Sequence, residues 1–160
     1  LMIHFPNPLH SDENGIVFIG GDPTPENLVN AYSQGIFPWP HKEYPLLWFS
    51  PLERGILNFK NFRIPKSTVK ALKKMNFQMT VDKCFDDVID GCMAKKRSDD
   101  GGTWITPAMV QGYKALHRQG NAHSIECWQD DKLVGGLYGV YVNGAFSGES
   151  MFYLVSGASK

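Results

Sequence analysis

The strongest constraint on this chain is a change of hydrophobic period just after Gly120. Upstream, apolar residues recur at helical spacing. Downstream they alternate with polar ones along Ala122–Gln129, Leu133–Val142 and Ala145–Tyr153, which is the period of half-buried strands. The runs are joined by Asp130-Asp131 and by Asn143-Gly144. Asn-Gly between apolar runs tolerates positive φ at both central positions, so it closes tight hairpins. The expectation is a three-strand antiparallel meander preceded by helices, an α+β (mixed α/β) fold.

The upstream elements carry their own punctuation. Ile16–Ile19 reads as a strand running into Gly20-Gly21. That turn matches neither a dinucleotide-binding nor a P-loop pattern and reads as backbone geometry. Thr24 caps a helix with Pro25 in its first turn and Gly35 just past its end. An aromatic stretch, Ile36-Phe37-Pro38-Trp39-Pro40, precedes the apolar run Leu46–Phe49 and a strand expected at Gly55–Phe59. These make residues 1–62 a small N-terminal lobe, with Asn61–Pro65 as the joint to a second domain, 63–160.

The second domain opens with a basic helix, Lys66–Met75, and a strand, Phe77–Val81. Asp82 is expected to cap the next helix, whose Phe85, Val88, Ile89, Cys92 and Met93 face a core. Thr106-Pro107 opens another. A further helix is expected to begin at Ser156–Lys160, so the domain reads as truncated or completed by a partner. A three-strand sheet stopping there leaves an edge and a face unclosed.

Composition excludes several classes. Hydrophobic residues at 42% against 20% charged give no basis for disorder. Three cysteines cannot form a complete disulfide set. Cys84 and Cys92, eight residues apart on one expected helix, lie roughly 12 Å apart along its axis, too far to bridge. Free buried thiols fit a reducing cytoplasm. No apolar run approaches membrane-spanning length, and the five histidines lack metal-ligand spacing, so neither membrane nor metal is expected.

Three constellations could carry chemistry. From Glu53 to Lys74 seven basic residues face one acid, although the whole chain has zero net charge. Lys66, Lys70, Lys73 and Lys74 form one stripe on a helix face, suited either to plain solvation or to a phosphate backbone. In Phe146–Phe152, Glu149 is costly to bury without a partner. Alternation sets it with Ser147 and Met151, and Phe146 joins that face only if Gly148 makes a bulge. Trp39 and Trp104 sit in loop-like contexts where a ring can line a ligand pocket or simply pack; Trp48 and Trp128 belong to the core.

At these residues the chain resembles the leucyl/phenylalanyl-tRNA–protein transferase family. The resemblance runs through Phe5-Pro6, Gly20-Gly21-Asp22, Ala31-Tyr32, Gly35-Ile36-Phe37-Pro38-Trp39 and Leu47-Trp48-Phe49-Ser50-Pro51. It continues through Gly102-Thr103-Trp104-Ile105-Thr106, Ala122-His123-Ser124-Ile125-Glu126, Leu133–Val140 and Gly148-Glu149-Ser150-Met151-Phe152 to Ala158-Ser159-Lys160. It implies a Gcn5-related acetyltransferase-like second domain, incomplete at its C-terminal end. It also implies transfer of Leu or Phe from Leu-tRNA or Phe-tRNA to proteins with N-terminal Lys or Arg, marking them for degradation, with no cofactor. By matching position, Trp39, Trp104, Leu137, Phe146 and Met151 would shape the donor pocket. Glu149 would hold or deprotonate the acceptor amine, and Lys66, Lys70, Lys73 and Lys74 would bind the tRNA.

The chain departs from the family pattern at Phe49, where Trp is usual, at Lys66, where Arg is usual, and at Glu53, Pro65 and Tyr153-Leu154-Val155. The family's later Asp-Cys-Gln segment, whose Asp and Gln are thought to work with the glutamate, is absent. Two alternatives remain: a tRNA-binding module without catalysis, and an acyl-CoA-dependent N-acyltransferase. Against the latter, there is no Arg/Gln-x-x-Gly-x-Gly turn to hold a CoA pyrophosphate.

Overall fold

A computed structural model describes residues 1–94 and 105–159. Its N-terminal part contains strand β1 (Ile16–Ile19), helix α1 (Pro25–Ser33), and strands β2 (Phe37–Trp39) and β3 (Leu47–Phe49). Thr24 caps α1 as its punctuation predicts: the side-chain oxygen accepts the Asn27 amide at 3.3 Å. The two outer strands flank β3 in an antiparallel sheet. Trp48 at its centre is fully buried, and its indole N–H donates to the Gly20 carbonyl at 2.9 Å. The Gly20-Gly21 turn therefore serves the fold.

The second part runs α2 (Lys66–Lys74), β4 (Gln78–Val81), α3 (Phe85–Ala94), α4 (Pro107–Arg118), β5 (Ala122–Gln129), β6 (Lys132–Val142) and β7 (Ala145–Tyr153). The three expected strands form the meander, and β4 pairs with β5 to make the order β4-β5-β6-β7, antiparallel throughout. Both hairpin turns hold two consecutive residues at positive φ: Asp130 and Asp131 at 49° and 59°, Asn143 and Gly144 at 52° and 81°. That backbone matches the right-handed twist of the paired strands.

The helices α3 and α4 cover one face of this sheet. Val88, Ile89, Met109, Tyr113 and Leu116 pack with Tyr138, Val140 and Phe152, all buried. The same buried cluster continues into Leu28, Ala31, Ile36 and Trp48, so one core includes residues from both sides of the joint expected at Asn61–Pro65. Gly112 makes this possible. A Cβ there would lie 2.1 Å from the Pro23 carbonyl oxygen, so only glycine lets α4 press against the entry to α1.

Two local expectations are corrected. Gly55–Phe59 is not a strand: residues 55–58 are irregular and Phe59 enters a turn, with Ile56 86% and Phe59 82% exposed. It pairs with no strand among the described residues, so it lacks the ladder bonds a strand needs. Asp82 does not cap α3. It takes a left-handed φ of 56°, and its carboxylate accepts the Ser124 amide at 2.8 Å while its other oxygen meets His123 Nδ1 at 2.7 Å. The amides before α3 are met instead by Glu126, which is fully buried. It accepts from Lys83 N (3.4 Å), Cys84 N (3.5 Å) and the hydroxyls of Thr80 and Ser124 (both 2.5 Å). None of the three cysteines is in a disulfide, and Cys92 and Cys127 are buried. Burial, then the charges of Glu126 and Asp87, push the Cys84 thiol up to about 11.

Candidate active site

The site is organised around an irregularity in β7. Tyr138 pairs with Ser150 and Gly139 with Gly148, so Glu149 has no partner across the ladder: it is the extra residue of a β-bulge. Gly139 permits this. A Cβ at that position would lie 2.4 Å from both the Phe146 ring and the Ser147 carbonyl oxygen.

The bulge redirects Glu149. Its carboxylate accepts a hydrogen bond from the Tyr113 hydroxyl at 3.3 Å, and that hydroxyl lies 2.8 Å from the hydroxyl of Tyr32. The acid therefore sits at the head of a phenol chain drawn from β7, α4 and α1. Tyr138 packs edge-on against Tyr113, ring centroids 5.4 Å apart; its buried hydroxyl has no hydrogen-bond partner among the described residues.

Burial raises the Glu149 carboxyl from 4.5 to about 7, because charging it away from water is costly. The hydrogen bonds of Tyr32 and Tyr113 and the charge of Arg54 pull the other way without overcoming burial. Burial, and then the nearby carboxylate, hold both phenols well above their usual range, so they remain donors. Near neutral pH this acid can both accept and release a proton, as a general base requires.

Leu137, Phe146 and Met151 do come together, but not with the acid. Met151 pairs with Leu137, and Phe146 pairs with Tyr141 while its ring lies over Gly139. These side chains occupy the sheet face away from α3, since the opposite face, at Gly136, abuts Val88. The bulge brings Phe146 onto the face of Met151, as alternation required. The same bulge turns Glu149 the other way, so the expectation that all three share a face is corrected. Phe146 and Met151 are 44% and 47% exposed.

Trp39 stands on β2, exposed, and lines an open apolar hollow of about 280 Å³ with Phe37 and Phe49. Phe37 and Phe49 stack with centroids 6.1 Å apart. The Arg54 guanidinium lies 4.7 Å over Phe37 and donates to the Gly35 carbonyl at 3.1 Å. The Arg54 charge also favours the ionised form of Glu149. Trp104 lies outside the described residues. Trp48 is core, as expected; Trp128 is partly buried, with its indole N–H donating to Thr80 at 2.8 Å.

Lys66, Lys70, Lys73 and Lys74 are exposed along α2, and none forms an ion pair among the described residues. No cluster of three or more His, Cys, Asp or Glu among the described residues could hold a metal ion, and no described helix is long and apolar enough to cross a membrane.

Sequence reasoning gave no role to Tyr32, Tyr113 or Arg54. A signal existed for Tyr113: it shares the buried face of α4 with Met109, Val110 and Leu116, and a buried phenol needs a polar partner.

The profile of a family described as leucyl/phenylalanyl-tRNA protein transferase matches residues 56–160, and the profile of that family's N-terminal domain matches residues 21–52. The chain belongs to the leucyl/phenylalanyl-tRNA protein transferase family. Curated relatives bearing that name agree. The protein of Shewanella denitrificans is 49% identical over 94% of this chain and 63% of its own length. That of Saccharophagus degradans is 51% identical over 93% of this chain and 61% of its own. That of Pseudoalteromonas atlantica is 49% identical over 99% and 68%. The chain thus spans about three-fifths to two-thirds of the transferases it matches. The Trp39 hollow and the Glu149 bulge both fall within the family-matched segments.

Proposed function

We propose that this chain carries the amine-activating site of an aminoacyl transfer reaction, moving Leu or Phe from its tRNA to the N-terminal Lys or Arg of acceptor proteins in the cytoplasm and so marking them for degradation. The observation that carries the reading is the Glu149 carboxyl, held on a bulge by Tyr113 and poised near neutrality.

The donor ester is already activated, so the chemistry asks mainly for positioning and one proton transfer. Near-attack placement of amine and ester contributes about 7–11 kcal/mol in favourable cases. Glu149 draws the proton from the acceptor ammonium, worth roughly 10²–10⁴-fold. The nitrogen then attacks the ester carbonyl, the C–N bond forms as the C–O bond to the tRNA ribose breaks, and the second proton shed by the nitrogen passes to the departing ribose oxygen. Backbone amides released at the bulge are candidates to stabilise the oxyanion. The hollow of Phe37, Trp39 and Phe49 takes the donor's apolar part; Leu137, Phe146 and Met151, on the sheet face away from the acid, do not line it. A methylene in such a pocket is worth only about 1–3 kcal/mol, so preference between Leu and Phe is graded. The α2 lysines hold the tRNA.

A single-turnover assay with Leu-tRNA and an Arg-ended peptide tests this directly. Glu149→Gln should retain tRNA affinity and lose transfer. Parallel loss of both would mean that the acid supports the fold or the tRNA contact; tRNA binding without transfer by the parent chain would support a binding module instead.

A further inference from the structure

The coil that fails to become a strand presents a surface the aminoacyl-transfer reading does not use. Between Asn58 and Arg63 two rings alternate with two cations: Phe59, Lys60, Phe62 and Arg63. Phe59 is 82% and Phe62 49% exposed. They do not hang on a loose chain. Asn61 N donates to the Asn58 carbonyl at 3.0 Å, Phe62 N to the Phe59 carbonyl at 3.3 Å, and Lys60 N to the Asn58 side chain at 3.0 Å, closing a compact turn. Four residues after Phe62 the lysine stripe of α2 begins at Lys66.

Exposed rings of this size are costly to leave in water, and they stand in a segment that also exposes Ile56, Leu57 and Ile64. Lysines alone suffice for a duplex, whose phosphates lie outside and whose bases are stacked away. Rings interleaved with cations match the surface that holds unpaired nucleotides, where bases stack on aromatic faces while Lys and Arg track the phosphates. A lipid surface instead favours an amphipathic helix with segregated faces; here polar Asn58 and Asn61 sit among the rings on a non-helical turn. Charge complementarity also selects a polyanion, since Glu53 is the sole acid between residues 53 and 74.

We propose that the turn Asn58–Arg63 is a stacking site for unpaired nucleotides of an RNA whose paired segment lies along the α2 lysines. The inference rests on the tRNA dock proposed above and adds a second subsite of different chemistry.

The test uses the 160-residue chain with two probes, a twelve-nucleotide oligouridylate and a twelve-base-pair RNA duplex, followed by fluorescence anisotropy. Replacing both rings (Phe59→Ala with Phe62→Ala) should weaken oligouridylate binding by about 30-fold or more, two stacked bases being lost, with duplex affinity and Tm unchanged. Replacing both rings by Trp should preserve single-strand binding. Unchanged oligouridylate affinity in the Ala variant overturns the inference, as does a fall in Tm with equal loss of both probes, which would show the rings packed in solution. Ring-dependent binding to phosphatidylglycerol vesicles without ring-dependent RNA binding also overturns it. Duplex binding through Lys70 and Lys73 without single-strand binding sinks this inference alone; binding of neither RNA sinks the tRNA dock as well.

Discussion

Replacing Glu149 by Gln separates the burial of the acid from its chemistry. The amide keeps an oxygen to accept from Tyr113 but cannot ionise. The folded carboxyl titrates near 7 against 4.5 in an ordinary setting. Below pH 4.5 the folded and unfolded chains both hold the proton, and parent and variant differ little. As pH rises toward 7 the unfolded carboxyl ionises while the folded one stays protonated, so the parent loses about 1.4 kcal/mol per pH unit that the variant keeps. Above pH 7 the gap levels at about 3 kcal/mol, which corresponds to roughly 6–12 °C in a chain of this size. Thermal unfolding by circular dichroism from pH 4 to 9 reads the difference directly. The variant should match the parent at acid pH, exceed it in Tm at pH 8, and lack transfer at both. A Tm difference that does not vary with pH would refute a buried, raised carboxyl at this position.

Gly112→Ala should cost about 1–3 kcal/mol in urea unfolding, since its Cβ would strike the Pro23 backbone oxygen and force α1 and α4 apart. Unaltered stability would contradict that close approach. Glu126→Ala strands buried hydroxyl and amide donors and should destabilise by about 2–4 kcal/mol; a neutral result in the same assay would mean water replaces the carboxylate. Changing Lys70 and Lys73 to Gln should lower the salt slope of tRNA binding by nearly two, measured between 50 and 200 mM salt as an order-of-magnitude range. An identical slope would return the stripe to plain solvation.

Much of the fold was legible because its signals are local. Alternation along Ala122–Tyr153, the Asn143-Gly144 turn and the Thr24 and Thr106 caps each require only neighbouring residues. The failures needed distant partners. Gly55–Phe59 has a strand's composition, but nothing in its own residues says whether an edge is available. Asp82 has a cap's chemistry, yet His123 and Ser124, forty residues on, claim its oxygens. At the site, Glu149 stood out as an acid in an apolar strand. Its direction did not, since that depends on which residue of Gly148-Glu149-Ser150 leaves the ladder, a choice set by the fit of Gly139 beneath Phe146. Tyr32 and Tyr113 are 81 residues apart, and neither one's surroundings in sequence name the other.

The paired phenols give the site a memory of its proton. Either hydroxyl of Tyr32 and Tyr113 can be the donor. An ionised Glu149 orients Tyr113 toward itself, which leaves the Tyr113 oxygen to receive from Tyr32. A protonated Glu149 can donate instead and reverse the line. Tyr32 stands five residues before Phe37, whose ring helps wall the hollow, so the last oxygen of the line lies on the chain segment that leads into that wall.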